Sequence, residues 1–264
     1  MSDGNVQLNT NQPNPARIYD YYLGGKDNFS ADRAVADQIL AIAPESRDSA
    51  QINRAFLRRA VRFLAAEAGI RQFLDIGTGL PTQGNVHEIA QAVAPDATVV
   101  CVDNDPIVLT HGRALVAGEH VVMVQADLRD PEGIVEHPEV REELDFDRPI
   151  GLLLLSILHF IADEEDPAGI VARLRDAMAP GSYLAISHAT ADFDPDRAVE
   201  AIKIYKGATA PLVPRSRAQI ERFFEGFELL DPGLVQLPQW RPDAETRTPA
   251  YQVPIYGGIG RISE

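Results

Sequence analysis

A short apolar run that ends in two glycines narrows the folds open to this chain more than any other feature. Residues 73–81 read Phe-Leu-Asp-Ile-Gly-Thr-Gly-Leu-Pro, a pattern that predicts a buried strand stopping at a tight turn. Because glycine has no Cβ, such a turn lets the backbone approach a ligand closely. A second apolar strand, residues 98–102, is followed by Asp103, whose carboxylate is placed to hydrogen-bond both hydroxyls of a ribose, as in nucleotide-binding α/β folds. Together the two features predict a cofactor that contains a nucleoside.

The composition restricts the partners and the compartment. The chain has 264 residues, 45% of them hydrophobic, which is enough for one large domain or a domain with a cap. Its formal net charge of −15 makes a phosphate backbone an unfavourable partner, so we expect no nucleic acid. The single cysteine, Cys101, lies in an apolar strand and predicts a reducing, cytoplasmic location. Residues 1–15 lack the apolar stretch of a secretory signal, and no apolar run has the length of a membrane helix, so we expect no membrane partner. No apolar stripe identifies a dimer interface, which leaves the oligomeric state open.

The sequence divides into a tail, a helical cap and an α/β domain. Residues 1–13 are polar and predict a flexible tail, and residues 14–69 predict a cap of helices that Gly69 ends. Residues 70–264 alternate between strands and helices, which predicts a three-layer, Rossmann-like α/β sheet with right-handed crossovers. The predicted cap helices cover 16–23, 30–42 and 46–68; the predicted strands cover 72–76, 98–102, 121–125, 150–155, 182–187, 227–230 and 251–257; and the helices between them cover 85–93, 105–118, 167–178, 196–206 and 216–225, with one short helix inside 130–148.

Polar and glycine residues follow the predicted strands at the edge of the sheet where such folds bind their ligands. Asp127 can accept a hydrogen bond from an exocyclic amine such as that of adenine, Leu128 can donate its N–H to a ring nitrogen, and Asn104 can flank the base. Each acid alone is as well explained by turn formation or helix capping, but three acids at successive strand ends favour a binding site. The candidate cofactor-binding residues are Asp75, Gly77, Thr78 and Gly79 at the first strand, Asp103 and Asn104 at the second, Asp127 and Leu128 at the third, and Ser156 at the fourth.

These motifs resemble those of class I S-adenosylmethionine-dependent methyltransferases. Residues 14–29, Asn-Pro-Ala-Arg-Ile-Tyr-Asp-Tyr-Tyr-Leu-Gly-Gly-Lys-Asp-Asn-Phe, and residues 76–87, Ile-Gly-Thr-Gly-Leu-Pro-Thr-Gln-Gly-Asn-Val-His, are similar to an actinobacterial family formerly catalogued as a domain of unknown function, of the DUF574 type. The resemblance covers nearly the whole chain. It implies a seven-stranded sheet with a reversed last strand and S-adenosylmethionine as the cofactor, and it implies no substrate.

Two other functions fit parts of the pattern. A glycine-rich turn and an acid after the second strand also suit an NAD-dependent oxidoreductase, but Thr82 stands where the dinucleotide fingerprint has its third glycine. Asp75, just before the glycines, suits a cationic amino group better than a pyrophosphate. A catalytically silent protein that binds S-adenosylmethionine as a sensor or partner subunit also fits, because no decisive base is evident. The sequence favours a methyltransferase that acts at oxygen or nitrogen of a small molecule.

The candidate catalytic residues and the cap each carry a competing structural interpretation. His159 and His188 follow the fourth and fifth strands and are candidate bases, although a histidine at the first position is often structural. The Gly-Gly turn near residue 24 is either an ordinary interhelical turn or part of a lid over the cofactor. Arg17 and Arg54 are candidates to bind a carboxylate, residues 205–211 to cover the substrate, and Trp240 and Tyr251 either to line the cavity or to fill the core. The candidate lid contacts are Tyr22, Gly24, Lys26 and Asn28.

Overall fold

The computed structural model describes residues 9–81, 84–115 and 120–263. The predictions for the tail over residues 1–8, for Thr82 and for the end of the helix near Gly118 lie outside the described residues. Residues 9–13 are held by hydrogen bonds: the Arg17 guanidinium donates to the Gln12 carbonyl at 2.6 Å, and the Thr209 amide donates to the Pro13 carbonyl at 2.9 Å. This part of the predicted tail therefore lies against the folded protein.

Three helices form the amino-terminal cap, and local capping sets where they begin. The Asn14 side chain accepts a hydrogen bond from the Ala16 amide at 2.8 Å, and Pro15 occupies the first turn, where its missing N–H costs nothing. Asp32 accepts from the Phe29 amide at 2.8 Å and fixes the start of the second helix. The helices are α1, Pro15–Tyr22; α2, Ser30–Ile42; and α3, Ser46–Ala66.

One mixed sheet forms the centre of the molecule. Its order is β3-β2-β1-β4-β5-β8-β6, with β7 paired to β8; β1 to β5 are mutually parallel, and β8 is antiparallel to β5. This confirms the predicted fold class and the reversed last strand. The two-residue strand β7 was not predicted. The strands are β1, Gln72–Ile76; β2, Thr98–Asp103; β3, Val121–Gln125; β4, Gly151–Leu155; β5, Tyr183–Ala189; β6, Glu228–Leu229; β7, Val235–Gln236; and β8, Ile255–Arg261.

Helices cover both faces of the sheet. Leu74 and Ile76 of β1 pack on one face, with α6, α7, α8 and α10, whereas Phe73 of the same strand packs on the other face, with α3, α4 and α5. This alternation gives the three layers that the strand–helix pattern predicts. The helices are α4, Val86–Val93; α5, Pro106–Leu115; α6, Pro131–Val135; α7, Pro138–Glu143; α8, Pro167–Asp176; α9, Pro195–Tyr205; and α10, Arg217–Glu221.

Two predicted elements are wrong in detail, for local reasons. Two short helices, α6 and α7, stand where one was predicted within 130–148, because Asp130 caps the first by accepting from the Gly133 amide at 3.0 Å and Pro138 begins the second. The last strand starts at Ile255 rather than Tyr251 and continues through two more glycines. A Cβ on Gly260 would lie only 2.8 Å from Phe227 Cβ, so glycine here permits close packing rather than a turn.

The helix α3 belongs to both the cap and the sheet. Its Ala50 lies in the apolar cluster of the cap with Ile18 and Tyr22, whereas Phe56 packs edge-on against Trp240 over the sheet, with ring centroids 5.4 Å apart. The predicted boundary near residue 69, between the cap and the α/β domain, therefore does not separate two cores, because α3 packs in both. Within the described residues, no helix is both long enough and apolar enough to span a membrane.

Candidate active site

A cavity of about 630 Å³ lies at the carboxyl ends of β1 to β4, beneath the cap. Chain order reverses between β1 and β4, because β2 and β3 extend the sheet in one direction and β5 in the other. Parallel α/β sheets bind ligands at such a switch point, and the volume falls within the roughly 300–1,000 Å³ typical of small-molecule sites. Residues after β1, β2, β3 and β4 line one side of the cavity, and residues of α1, α2, α3 and α9 line the other.

The glycine turn after β1 is held against β2 by its own amides. The Gly77 and Thr78 amides donate to the Val102 carbonyl at 2.8 and 3.2 Å, and the Gly79 amide donates to Asp103 Oδ2 at 2.9 Å. Gly77 and Gly79 have φ angles of +75° and +69°, in the left-handed region that favours glycine. A Cβ on Gly77 would also lie 2.7 Å from Ile157 Cγ1. The predicted turn is therefore present, and its first glycine is required twice over.

Asp103 is positioned to hold a diol. The residue is only 8% exposed, and Oδ1 accepts from the Asp105 amide at 3.0 Å while Oδ2 accepts from the Gly79 amide. Burial raises the pKa of Asp103 to about 6, although the two amide bonds act in the opposite direction. A carboxylate has about four lone-pair sites, so two remain for further donors. This donor and acceptor set fits the ribose of a nucleoside cofactor.

Asp75 is a second buried acid on the same cavity wall. Burial raises its pKa to about 6, opposed by a hydrogen bond from the Thr78 side chain. The two negative charges repel each other, and the charge of Asp75 contributes to the raised pKa of Asp103. A cationic group bound nearby would relieve that cost, so the pair fits a positively charged ligand.

Asp127 and Asn104 act as a unit. Asn104 Nδ2 donates to Asp127 Oδ2 at 3.1 Å, and the Arg129 amide donates to Oδ1 at 3.0 Å. Although burial alone raises the pKa of Asp127, these hydrogen bonds and the Arg129 charge outweigh burial and hold the pKa below its ordinary value. Leu128 is buried and lines the cavity with both polar residues. The structure thus brings all three predicted adenine contacts together, but any amine on Asp127 must share its oxygens.

Ser156 begins a polar chain that sequence reasoning missed. Its φ angle is +55°, and its Oγ lies 3.3 Å from Ser187 Oγ. The Ser187 hydroxyl donates to Asn53 Oδ1 at 2.7 Å, and Asn53 Nδ2 donates to the Tyr19 hydroxyl at 3.0 Å. The chain ties the turn after β4 to α3 and α1. Its members lie far apart in sequence, so no local motif marks them.

Neither predicted histidine has the geometry of a base. His159 lines the cavity, but its Nδ1 accepts from the Ala189 amide at 3.2 Å; burial, reinforced by the Arg215 charge, lowers its pKa to about 3. His188 is fully buried, and its Nδ1 lies 2.7 Å from the Ala189 carbonyl while Nε2 lies 3.2 Å from Arg215 Nη1. Because arginine only donates, His188 Nε2 accepts and Nδ1 carries the proton. Burial lowers the pKa of His188 well below its ordinary value, and His188 is not among the described cavity residues.

Of the four predicted lid contacts, one lines the cavity. Tyr22 lines the cavity, whereas Gly24, Lys26 and Asn28 are not among the described residues that do. The reason is Asp20: its Oδ2 accepts from Asn28 Nδ2 at 2.8 Å and from the Asp27 amide at 3.0 Å, which closes the turn on itself. This local bonding supports the interhelical-turn interpretation for Gly24, Lys26 and Asn28, and Tyr22 remains the predicted lid residue that reaches the cavity.

Arg17 is a bridge between the cap and the sheet rather than a carboxylate receptor. Its Nε donates to Asp32 Oδ2 at 3.0 Å and its Nη1 to Asp105 Oδ2 at 3.2 Å, and all three side chains are buried. Arg54 lines the cavity and donates to the Gly84 carbonyl at 2.7 Å.

The remaining aromatic and loop candidates differ in their positions. Trp240 is fully buried against Phe56, and the half-exposed Tyr251 hydroxyl donates to Asp48 Oδ2 at 3.4 Å, so the described cavity wall includes neither residue. From the predicted covering segment 205–211, Tyr205, Thr209 and Ala210 do line the cavity.

The sheet is parallel except for its reversed last strand, and the glycine turn after β1 is bonded to the acid that ends β2. The cavity lies at these strand ends, under a helical cap. This combination is that of a class I S-adenosylmethionine-dependent methyltransferase. The model of the S-adenosyl methyltransferase family matches residues 1–263, and the chain belongs to this family. S-adenosylmethionine is therefore its cofactor, and the oxidoreductase alternative is wrong.

Solved structures agree with this assignment. The chain is similar to a DUF574 family protein from Streptomyces avermitilis, with 45% identity over 97% of this chain and 99% of that chain and a TM-score of 0.93. It is also similar to a provisionally named methyltransferase from Thermobifida fusca, with 44% identity over 100% of both chains and a TM-score of 0.91. Human N-acetylserotonin methyltransferase, solved with S-adenosylmethionine, shares the fold alone: 13% identity over 96% of this chain and 63% of that chain, with a TM-score of 0.52. No curated protein sequence matches the chain.

Proposed function

We propose that this enzyme methylates a small molecule at oxygen or nitrogen, with the acceptor bound between the sheet and the cap. The observation that carries the proposal is a single cavity whose walls come from both parts: the strand ends, with the residues expected for a cofactor, and the helices of the cap. An acceptor seated on the cap side would share one continuous cavity with the cofactor. Alignment of two bound reactants is the largest contribution a methyltransferase needs to make.

The residues at the strand ends would each bind a different part of the cofactor. Asp103 would hold the ribose hydroxyls through its remaining lone pairs, Asp127 and Leu128 the adenine, and Asp75 the ammonium of the methionine part. The glycine turn, Gly77 to Gly79, and Ser156 would border that part. When bound, S-adenosylmethionine supplies a methyl group on a sulfonium sulfur, and transfer to an O–H or N–H acceptor yields the methylated product, S-adenosylhomocysteine and one proton.

The acceptor is a small molecule in this proposal for two reasons. The net charge of −15 opposes binding of a phosphate backbone. The cap also covers the strand ends: Arg17 of α1 forms one buried ion pair with Asp32 of α2 and a second with Asp105, just after β2. A bound molecule must therefore fit within the cavity of about 630 Å³ together with the cofactor.

The acceptor must release its proton without an imidazole base. With Nδ1 of His159 accepting from the Ala189 amide, the neutral ring carries its proton on Nε2 and can only donate from that atom. His159 would then orient an acceptor or cofactor oxygen by hydrogen bonding. Two acceptors suit such a site: an amine nitrogen, which attacks through its lone pair and loses its proton to solvent once methylated, and an acidic hydroxyl, which passes its proton to solvent as the methyl group is transferred.

Calorimetric titration with S-adenosylhomocysteine tests the cofactor assignment residue by residue. We expect Asp103→Ala to weaken binding about 100-fold or more, because each hydrogen bond to a charged group contributes roughly 1.5–3 kcal/mol and two are lost. Asp96→Ala is the matched control: this acid precedes the opposite end of β2, where it lies 3.7 Å from Arg71 on the surface. The control should bind like the wild type. Equal affinities for the Asp103 and Asp96 variants would contradict the assignment of Asp103 to the ribose.

A further inference from the structure

The cap side of the cavity contains two buried hydroxyl groups that make no hydrogen bond of normal geometry with the described protein. Tyr22 and Ser49 are 8% and 7% exposed, and both line the cavity. The Ser49 hydroxyl has no hydrogen-bond partner, and the Tyr22 hydroxyl, although it lies near that of Tyr205, makes no hydrogen bond of normal geometry. Leaving a buried hydroxyl unpaired costs roughly 1–3 kcal/mol, so such groups usually mark a missing partner.

The surroundings of these hydroxyls are apolar and aromatic. Tyr22, Ile39 and Tyr205 belong to the apolar cluster of the cap, and Phe160 packs against Tyr205 with ring centroids 5.9 Å apart. Burial raises the pKa of both Tyr22 and Tyr205, so both phenols stay neutral at physiological pH. We call this part of the cavity the cap chamber; it is formed by Tyr22, Ile39, Ala43, Ser49, Tyr205 and Leu212.

The cationic side chains of the cavity already have anionic or carbonyl partners. Arg197 forms ion pairs with Glu45 and with Asp194, the latter at 3.0 Å. Arg17 binds Asp32 and Asp105 as described above. Arg129 likewise binds Asp127, and Arg54 donates to the Gly84 carbonyl. Arg17, Arg129 and Arg197 are thus already paired with carboxylates, so an anionic acceptor would compete with an existing partner at each of them, whereas a neutral one would not.

We infer that the methyl acceptor is an uncharged, ring-bearing apolar molecule whose hydroxyl is held by the Tyr22 and Ser49 hydroxyls in the cap chamber. This inference rests on the proposed function, since it identifies the substrate class of the same site. A hydroxyl both donates and accepts, so an acceptor hydroxyl lying between the two side chains would satisfy both. The apolar ring would bury itself among the aromatic and aliphatic side chains of the cap.

Three naphthalene probes of similar size separate the possible chemistries: 2-naphthol, 2-methylnaphthalene and 2-naphthoate. Their binding to the protein saturated with S-adenosylhomocysteine is followed by naphthalene fluorescence. We expect 2-naphthol to bind at least about tenfold more tightly than either of the others, because only it offers a neutral hydroxyl. Tighter binding of 2-naphthoate, or no detectable binding of 2-naphthol, would overturn the inference.

Variants assign the effect to the two hydroxyls. Tyr22→Phe and Ser49→Ala should each weaken 2-naphthol binding about 3- to 10-fold and leave 2-methylnaphthalene binding unchanged. Tyr21→Phe is the matched control, because the neighbouring Tyr21 hydroxyl bonds Asp37 at 3.0 Å outside the cavity. If Tyr22→Phe and Tyr21→Phe behave alike, the inferred anchor is wrong. Failure of S-adenosylhomocysteine to bind would instead defeat the proposed function, and the same probes on the protein alone would then still test the chamber.

Discussion

Two regions of the cavity differ in how their polar groups are satisfied. One is the strand-end wall with Asp75, Asp103 and Asp127, which we call the cofactor side; the other is the cap chamber. Both oxygens of Asp103 accept amides from the protein itself, at Gly79 and Asp105, before any ligand binds. The hydroxyls of Tyr22 and Ser49 make no hydrogen bond of normal geometry with the described protein. The first region is held in its geometry by the fold, and the second leaves hydrogen bonds that, in our proposal, the acceptor completes. The difference teaches that one cavity can combine groups fixed before a ligand binds with groups that only a ligand would satisfy.

The largest expected effect is a loss of folding stability, and it tests whether Arg17 links the cap to the cofactor side. Arg17 lies on the cap and pairs with Asp105 beside the cofactor side. Arg17→Ala leaves Asp105 and Asp32 buried without a counter-charge, which should lower the free energy of unfolding by about 3–5 kcal/mol in urea denaturation. Arg58→Ala is the control, since the Arg58 and Glu245 side chains are 44% and 74% exposed and such pairs contribute at most about 1 kcal/mol. Similar losses in the two variants would mean that Arg17 does not couple the regions.

A smaller effect tests how rigidly the glycine turn is fixed. Gly77→Ala adds both left-handed strain and a clash with Ile157, which together should cost roughly 2–4 kcal/mol of unfolding free energy. Gly79→Ala carries the strain alone, because no atom lies within 4 Å of its Cβ position, and should cost about 1–2 kcal/mol. Urea denaturation of both variants gives the comparison. Equal losses would show that the turn yields to the added methyl group and is less rigid than its bonding indicates.

The pH dependence of cofactor binding tests whether Asp75 and Asp103 are ionised when the cofactor is bound. Burial raises the pKa of Asp75 and of Asp103 to about 6, so their stabilising contribution to folding is present at low pH and is lost as the pH rises through 6. Binding of cationic S-adenosylmethionine has the opposite preference, because it favours the ionised carboxylates. Calorimetry should therefore find binding about tenfold weaker at pH 5 than at pH 7. Asp103→Asn should reduce this dependence, and an affinity that is constant between pH 5 and 7 would contradict the ionised state of the acids in the complex.

The smallest expected change concerns the two histidines where the regions meet. Long-range ¹H–¹⁵N spectra should show that His159 and His188 stay neutral between pH 5 and 8, since burial lowers both pKa values. The protonated nitrogen should be Nε2 in His159 and Nδ1 in His188, as their hydrogen bonds require. His159→Gln and His188→Gln assign the signals. Titration of His159 near pH 6.5 would restore it as a candidate base.

The sequence predicted those parts of the molecule whose cause is local. The strand β1 and its glycine turn are correct because an apolar run followed by positive-φ glycines is encoded in adjacent residues. The bond between Ser187 and Asn53 joins residues 134 positions apart, and that between Arg17 and Asp105 joins residues 88 apart, so no pattern along the chain could reveal either. The closure of the Gly-Gly turn by Asp20 has a different cause: its partners, Asp27 and Asn28, lie only seven and eight positions away, but hydrogen bonds within an irregular turn depend on the folded geometry.

Strand β8 has a practical consequence for attaching the protein to a surface. Because β8 runs against its neighbours, Ile262 emerges beside Ser182, where its amide donates to the Ser182 carbonyl at 2.8 Å at the amino end of β5. That end of the sheet is opposite the cavity. Pro13, by contrast, accepts a bond from Thr209, which lines the cavity. A fluorophore, affinity tag or sensor-chip linker joined after residue 263 would leave the cavity facing solution, whereas a linker placed before Asn9 would crowd its wall.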